Sequence, residues 1–258
     1  MRHFTMAAAG FAVAAAGTAA IGQTTVQARG GLVPGTVNTG SVSRTGQAIC
    51  YSSLGVASPF DNFSGYGFSQ GNTATFDDIL MNKPAGTRID EISFSAVSFN
   101  DDGSTTGGTV TTTAVIALFN NDPATGTPDF TSQKAQITVT GLQIDSFTVN
   151  IFTIDVKDLN IIKKDEVMWA GILFTGTTGP ANADGTPLND GVGQGIFGPA
   201  TKGFSEDLFF QDGSLVWFGG AANGAPYANF GWEFRSIPTP GAMAIFGLAG
   251  LAATRRRR

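Results

Sequence analysis

Apolar residues through the middle of the chain recur at every second position. Ile92, Phe94 and Ala96 alternate with Ser93 and Ser95, the spacing of a strand with one buried face. Val97 and Phe99 then fall on the other parity, which predicts a bulge or a change of face. Residues 110–119, with Thr111-Thr112-Thr113 followed by Val115-Ile116-Ala117-Leu118-Phe119, form another strand, and alternation returns at Ile137, Val139 and Gly141, at Phe147, Val149 and Ile151, and at Phe230, Trp232 and Phe234. Residues 167–174 are apolar on both parities, predicting a central strand covered on both sides. Residues 208–210 and 215–218 supply two shorter strands.

Gly, Asn, Asp, Pro and Thr cluster between these runs, as turns require. Residues 120–128 read as a turn, 175–195 as a long loop across one end, and 23–46 as a loose lead-in. No capped amphipathic helix and no repeat of solenoid length is present. Many short strands with turn signals predict an all-β domain, a jelly-roll-like antiparallel β-sandwich.

The two ends have a different character. Arg2 and His3 precede an alanine-rich apolar run over residues 6–16, and small residues follow. That order is a secretory signal peptide within residues 1–28, with cleavage after Gly22 or Ala28. At the other end Ile237-Pro238-Thr239-Pro240-Gly241 leads into an apolar run over residues 242–253 and then Arg255, Arg256, Arg257 and Arg258. Twelve apolar residues fall short of the roughly 20 a spanning helix needs. The arginines would hold the cytoplasmic side while the rest of the chain is exported. The chain therefore divides into a signal peptide (1–28), a flexible lead-in (29–46), a sandwich domain (47–236) and a sorting segment (237–258).

This motif, apolar run and arginine cluster resemble the C-terminal signal of the PEP-CTERM family, exported bacterial proteins handled by a membrane exosortase. The resemblance covers residues 237–258, and the family's Pro-Glu-Pro is here Pro238-Thr239-Pro240. It implies an exosortase-like sorting enzyme as partner and transient membrane contact through a C-terminal sorting helix. It also implies a place at the cell surface or in an extracellular matrix rich in exopolysaccharide. The segments around Phe209-Phe210, Trp217-Phe218-Gly219-Gly220 and Asn229-Phe230 loosely resemble sandwich domains of exported bacterial proteins with this kind of tail.

Charge and composition narrow the chemistry. Removing Arg2 and the four terminal arginines leaves ten basic against twenty acidic residues, a net charge near −10. That disfavours nucleic acid and anionic lipid and suits neutral glycans, cations or basic partners. The single histidine, His3, lies in the signal peptide, and the single cysteine is Cys50. A lone cysteine closes no disulfide within the chain, so a buried, idle thiol is expected, with intermolecular pairing as the alternative. Gly67-Phe68-Ser69-Gln70-Gly71 matches a nucleophile elbow, but the mature chain holds no imidazole to take the serine proton, and a flexible loop is expected there. Gly193–Gly198 matches G-x-G-x-x-G, yet Pro199 follows where a helix should start.

No catalytic, cofactor-binding or metal site is assigned. Asp90-Glu91, Asp101-Asp102, Asp165-Glu166 and Glu206-Asp207 are adjacent acidic pairs. Neighbours on a strand face opposite ways, so such a pair is no acid–nucleophile couple by itself; a carboxylate-dependent polysaccharide-active enzyme is the alternative reading. Asn100-Asp101-Asp102, Asn120-Asn121-Asp122, Asn182-x-Asp184 and Asn189-Asp190 offer oxygen ligands of the kind Ca²⁺ takes, which turn chemistry explains equally well. Tyr66, Phe68, Trp217, Phe218, Tyr227 and Trp232 lie in or near Gly-rich segments. Rings with a polar handle suit the faces of sugars, and Tyr227 and Trp217 are the candidate glycan contacts; Trp232 and Phe218 sit at core parity.

The expected product is an exported, non-catalytic surface or matrix protein. Mass spectrometry of the mature protein should find its N-terminus at Gln23 or Arg29 and its last peptide without Arg255–Arg258. Those arginines on surface-exposed protein would overturn the processing.

Overall fold

A computed structural model of the chain describes residues 23–27, 47–54, 65–69, 74–99, 108–145, 149–164, 167–179, 191–217 and 229–236. In chain order the strands are β1 (Gln23–Gln27), β2 (Ala48–Ser52), β3 (Gly65–Ser69), β4 (Thr75–Ile79), β5 (Arg88–Ile89), β6 (Glu91–Phe99), β7 (Thr109–Asp122) and β8 (Thr127–Asp145). Then come β9 (Asn150–Asp155), β10 (Ile161–Ile162), β11 (Met168–Thr178), β12 (Gly191–Phe197), β13 (Leu208–Gln211), β14 (Ser214–Trp217), β15 (Asn229–Phe230) and β16 (Trp232–Ser236). Among the described residues the only helical element is a 3-10 turn at Lys157–Leu159.

The strands form an all-β sandwich. One sheet runs β1-β8-β7-β11-β4-β13-β14; the other runs β15-β12-β6-β16-β2, with β3 added beside β12 and β9 beside β6. β5 and β10 make a small separate ladder. Every ladder is antiparallel except that of β1, which lies parallel to residues 136–140 of β8. The main core fills the space between the sheets. Ile79, Ile116, Ile137, Ala170, Ile172 and Phe209 come from the first sheet, and Ile92, Phe94, Phe152, Phe230, Trp232 and Phe234 from the second.

Turn chemistry sets the hairpins. Asp122 accepts from the Ala124 N–H at 2.9 Å and the Thr125 hydroxyl at 2.9 Å, closing the β7–β8 turn tightly. β13 and β14 are joined through Asp212 and Gly213, both at positive φ (49° and 79°). Two successive left-handed residues are what a two-residue hairpin of matching twist demands. In the β7–β8 ladder, Thr140 and Gly141 oppose the single residue Thr113, a bulge that the +71° φ of Gly141 permits.

β6, β12 and the β15–β16 chain meet at Ser95, Gly195 and Gly231. The Ser95 N–H donates to the Gly231 carbonyl at 2.9 Å, and the Gly231 N–H to the Gly195 carbonyl at 3.0 Å. Ser95 Oγ donates to the Gly195 carbonyl at 3.2 Å and accepts from the Gly195 N–H at 3.1 Å. A Cβ on Gly231 would collide with Ser95 Oγ and the Phe197 ring. The backbones approach this closely because Gly231 carries no side chain; at Gly195 a Cβ would be tight, 3.2 Å from Ser95 Oγ.

Several expectations change. Residues 65–69 are not a loop: β3 pairs with residues 191–195 of β12, and that pairing also removes one end of the long loop expected over 175–195, while β11 runs on to Thr178 at the other. Part of the loose lead-in is strand β1. The turn expected over 120–128 shrinks to residues 123–126, because β7 continues to Asp122 and β8 begins at Thr127. Alternation at Val149 and Ile151 gives the wrong parity for β9, which buries Phe152 and Ile154; apolar residues stand on both of its faces. The parity change at Val97 coincides with a change of neighbour, from β9 and β16 to β12. β11 is covered on both faces, as its composition predicts. The signal peptide through Gly22 and the sorting segment from Ile237 lie outside the described residues.

Replacing Gly231 with alanine should lower the unfolding free energy by about 1–3 kcal/mol, the usual cost of overpacking a filled site. Alanine at Gly213, where nothing lies within 4 Å, should cost only its backbone strain. Urea midpoints of the two variants compare the effects.

Candidate functional site

The outward face of the first sheet is as apolar as a core. Alternation along β4 sends Phe76 outward and Asp77 inward; Phe76 lies beside Phe210 of β13 and across Gly171 of β11. Phe76, Ala117, Phe119, Trp169, Leu208 and Phe210 form a second buried cluster with no member from the other sheet. Gly171 makes room for it, since a Cβ there would strike the Phe76 ring. Trp169 directs its indole N–H to Asn121 Oδ1 at 2.9 Å, satisfying a donor that would otherwise be buried unpaired.

Phe130 covers this cluster by means of a bulge. Phe119 pairs with Gln133 and Asn120 with Asp129, so Phe130, Thr131 and Ser132 have no opposite residue on β7. Asp129 Oδ1 accepts from the Thr131 N–H at 2.9 Å and the Thr131 hydroxyl at 2.6 Å. The Thr131 hydroxyl also holds the Asp129 carboxyl below its ordinary range. The Phe130 ring then sits 5.5 Å from Phe76, 5.1 Å from Phe119 and 5.7 Å from Phe210, largely in the edge-on or tilted poses aromatic quadrupoles prefer.

The four exposed large hydrophobic residues among those described are Phe130, Phe204, Leu215 and Trp217, each at least 40% exposed. Register places Phe204, Leu215 and Trp217 on this one face, and ring contacts place Phe130 there. Leu215 and Trp217 pair with Phe210 and Leu208 of the outer cluster, and Phe204 bridges Leu80, which shares parity with Phe76 on the β4 chain. Scattered exposed apolar residues need no explanation, but a face that gathers them is a candidate contact surface.

Of the two candidate glycan contacts, Trp217 is exposed on this face, on the edge strand β14. Tyr227 lies outside the described residues, as do Phe218, Pro238, Thr239, Pro240 and Arg255, Arg256, Arg257 and Arg258. Trp232 is fully buried in the core. Asp90 takes a 2.7 Å ion pair from Arg88. The Arg235 guanidinium stands between Glu233 at 2.6 Å and Glu91 at 3.7 Å. Glu206 is exposed and its neighbour Asp207 buried; the pairs 101–102 and 165–166 are outside the described residues. Within the Asn120-Asn121-Asp122 group, Asn121 serves Trp169 and Asp122 serves the turn. Among the described residues no group of three or more His, Cys, Asp or Glu side chains could hold a metal ion, and no helix is long and apolar enough to cross a membrane. Cys50 is fully buried, and burial pushes its thiol above the ordinary value.

One further adjacent acidic pair, Asp77-Asp78, lies inside the strand Thr75–Ile79, and both residues are buried. Between the pairs Asp77–Phe209 and Leu80–Phe204, the β4 chain has Asp78 and Ile79, while the other chain has Ser205, Glu206, Asp207 and Leu208. The surplus bows outward and delivers donors to the acids. Ser205 Oγ lies 3.2 Å from Asp77 Oδ1 and 3.0 Å from Asp78 Oδ1. The Glu206 N–H reaches both Asp78 oxygens at 3.1 and 3.0 Å. Burial, followed by the charge of Asp78, holds the Asp77 carboxyl well above the ordinary range; burial raises Asp78 to about 7. The available signal was the same adjacency that marks the other acidic pairs.

No family model, curated protein or solved structure matches the chain.

The outer cluster and its exposed margin should respond differently to truncation. Trp169→Ala should cost about 3–5 kcal/mol, as for other buried aromatics. Phe130→Ala, half exposed, should cost about 1 kcal/mol through its lost ring contacts, and Trp217→Ala should stay within about 0.5 kcal/mol. Urea unfolding of the three variants gives the order.

Proposed function

We propose that this is an exported, non-catalytic cell-surface or extracellular-matrix protein that binds glycan on the outward face of its first sheet. It is sorted through its PEP-CTERM-like tail by an exosortase-like enzyme and touches the membrane transiently during export. The domain is read as a jelly-roll-like sandwich, since the order β7-β11-β4-β13 joins strands remote in sequence. The observation that carries the reading is the gathering of the exposed large apolar side chains, Trp217 among them, on that face. An indole combines apolar area with a hydrogen-bonding edge, which suits a sugar ring. The acidic balance of the mature chain favours a neutral or cationic polymer over an anionic one.

Co-sedimentation of the mature protein with exopolysaccharide from the producing organism tests this, with calcium and with chelator. Saturable binding is expected in both conditions. Trp217→Ala should weaken it about tenfold, equivalent to about 1.4 kcal/mol, without moving the urea midpoint. Absence of binding in both conditions would leave a displayed scaffold with a protein partner. New reducing ends from the polymer would instead establish the polysaccharide-active enzyme.

A further inference from the structure

We propose that Asp77, Ser205 and Asp78 form a proton-sharing lock, with Asp77 a neutral carboxylic acid and Asp78 the anion, which loosens the junction of β4 and β13 as pH rises.

The argument rests on counting protons. Ser205 Oγ has one hydroxyl hydrogen and three oxygens within bonding distance: Asp78 Oδ1 at 3.0 Å, Asp77 Oδ1 at 3.2 Å and the Glu206 carbonyl at 3.2 Å. Asp78 already receives the Glu206 N–H on both oxygens, the arrangement of a carboxylate. The Ser205 hydrogen completes that set. A lone pair of Ser205 Oγ then faces Asp77 Oδ1, and two bare oxygens at this separation repel unless Asp77 brings a hydrogen of its own. Carried on Asp77, the hydrogen makes a chain from Asp77 through Ser205 to Asp78 in which each link has one donor and one acceptor. Asp77 Oδ2 is buried and makes no hydrogen bond, which a neutral acid tolerates far better than an anion.

The groups around Asp77 offer it no cation. β2 contributes Tyr51, fully buried, whose hydroxyl stands near Ser205 and Ser53, and Ser53 follows that strand. β4 contributes Asp78, and the bowed segment contributes Ser205, Glu206 and Asp207. β11 and β13 place Ala170 and Phe209 opposite Asp77, and β15 contributes the Phe230 backbone. The Tyr51 hydroxyl is itself held well above its ordinary value, first by burial and then by the charge of Asp77, so it supplies no compensating charge.

The direction of the pH response follows. An unfolded aspartate releases its proton near pH ~3.9, whereas both native carboxyls hold theirs to higher pH. Between those limits the native state binds more protons than the unfolded state. Stability from this pair is complete below the unfolded value and is lost as pH rises through the native ones. Loss of the Asp77 proton puts two adjacent anions on one hydroxyl, and the strand they hold is β13, whose hairpin partner β14 carries Trp217. The lock does not depend on the glycan reading, and its test involves no ligand.

The test uses the mature protein labelled with ¹³C at aspartate carboxyls, together with Asp77→Asn. The carboxamide of that variant still donates to Ser205 Oγ but cannot ionise. One aspartate signal should remain at the protonated position at pH 8, above the value near 7 at which Asp78 ionises, and be missing from Asp77→Asn. The melting temperature of the wild type should fall between pH 5 and pH 8 relative to the variant. Amide exchange at Phe209 and Phe210, corrected for its intrinsic pH dependence, should accelerate in the wild type alone. The wild-type spectrum decides the matter even if the variant fails to fold, because a protonated signal from the labelled aspartates at pH 8, where Asp78 is ionised, needs no variant. Absence of any protonated aspartate at pH 8, or parallel pH–melting curves for the two proteins, would overturn the lock.

Discussion

Three backbones meet at Ser95, Gly195 and Gly231, and the second sheet is organised around that contact. β6 changes partner there: its first residues lie between β9 and β16, its last beside β12. The change needs the chains to approach closely: a Cβ is excluded at Gly231 and would be tight at Gly195. Ser95 supplies the hydroxyl that both donates to and accepts from Gly195, so the interruption leaves these backbone groups satisfied. Phe94, Phe152, Trp232 and Phe234 pack directly beside it, with ring centroids 5.6–6.2 Å apart. A shift in the junction would reach the inter-sheet core at once, because close-packed interiors transmit small displacements.

The first sheet meets a different demand. It buries both faces over β4, β11 and β13, one against the second sheet and the other beneath its own aromatic cluster. Double coverage explains why β11 has apolar residues on both parities and why Gly171 lies beneath Phe76. It also explains the cost at Asp77 and Asp78. Two acids in a strand with both faces covered must find donors or hold protons, and the bow at Ser205–Leu208 provides the donors. Where the coverage ends, Phe130, Leu215, Trp217 and Phe204 remain exposed. The proposed ligand face and the buried acids are thus two consequences of the same doubly covered sheet.

Much of this was legible in the residues. Period-two runs located β6, β8 and the β15–β16 chain, apolar stretches located β7 and β11, and apolar parity identified Phe94, Ile137, Trp232 and Phe234 as core. Errors arose where strands are rich in glycine. In β3 and β12 glycine fills alternate positions, so Tyr66 and Phe68, or Val192 and Ile196, alternate with glycine rather than with polar side chains. Such a pattern reads as a glycine-rich loop until a neighbouring strand pairs with it. β9 misled for the opposite reason, being apolar on both parities. Of the candidate site, Trp217 was found because its ring flanks a glycine-rich stretch. The Phe130 bulge was not, because nothing in Asp129-Phe130-Thr131-Ser132 says that three residues will go unpaired.

By itself the sequence determined the all-β class, the doubly covered central strand, and an acidic composition with one histidine, His3, because these follow from local periodicity and composition. Only the tertiary structure decided which strands lie side by side. Backbone hydrogen bonds between strands are alike for every residue type, so partners are chosen by how whole faces pack. That choice brought Ser205 to Asp77, 128 residues away in the chain. It also carried Phe130, Phe204, Leu215 and Trp217 onto one face of one sheet.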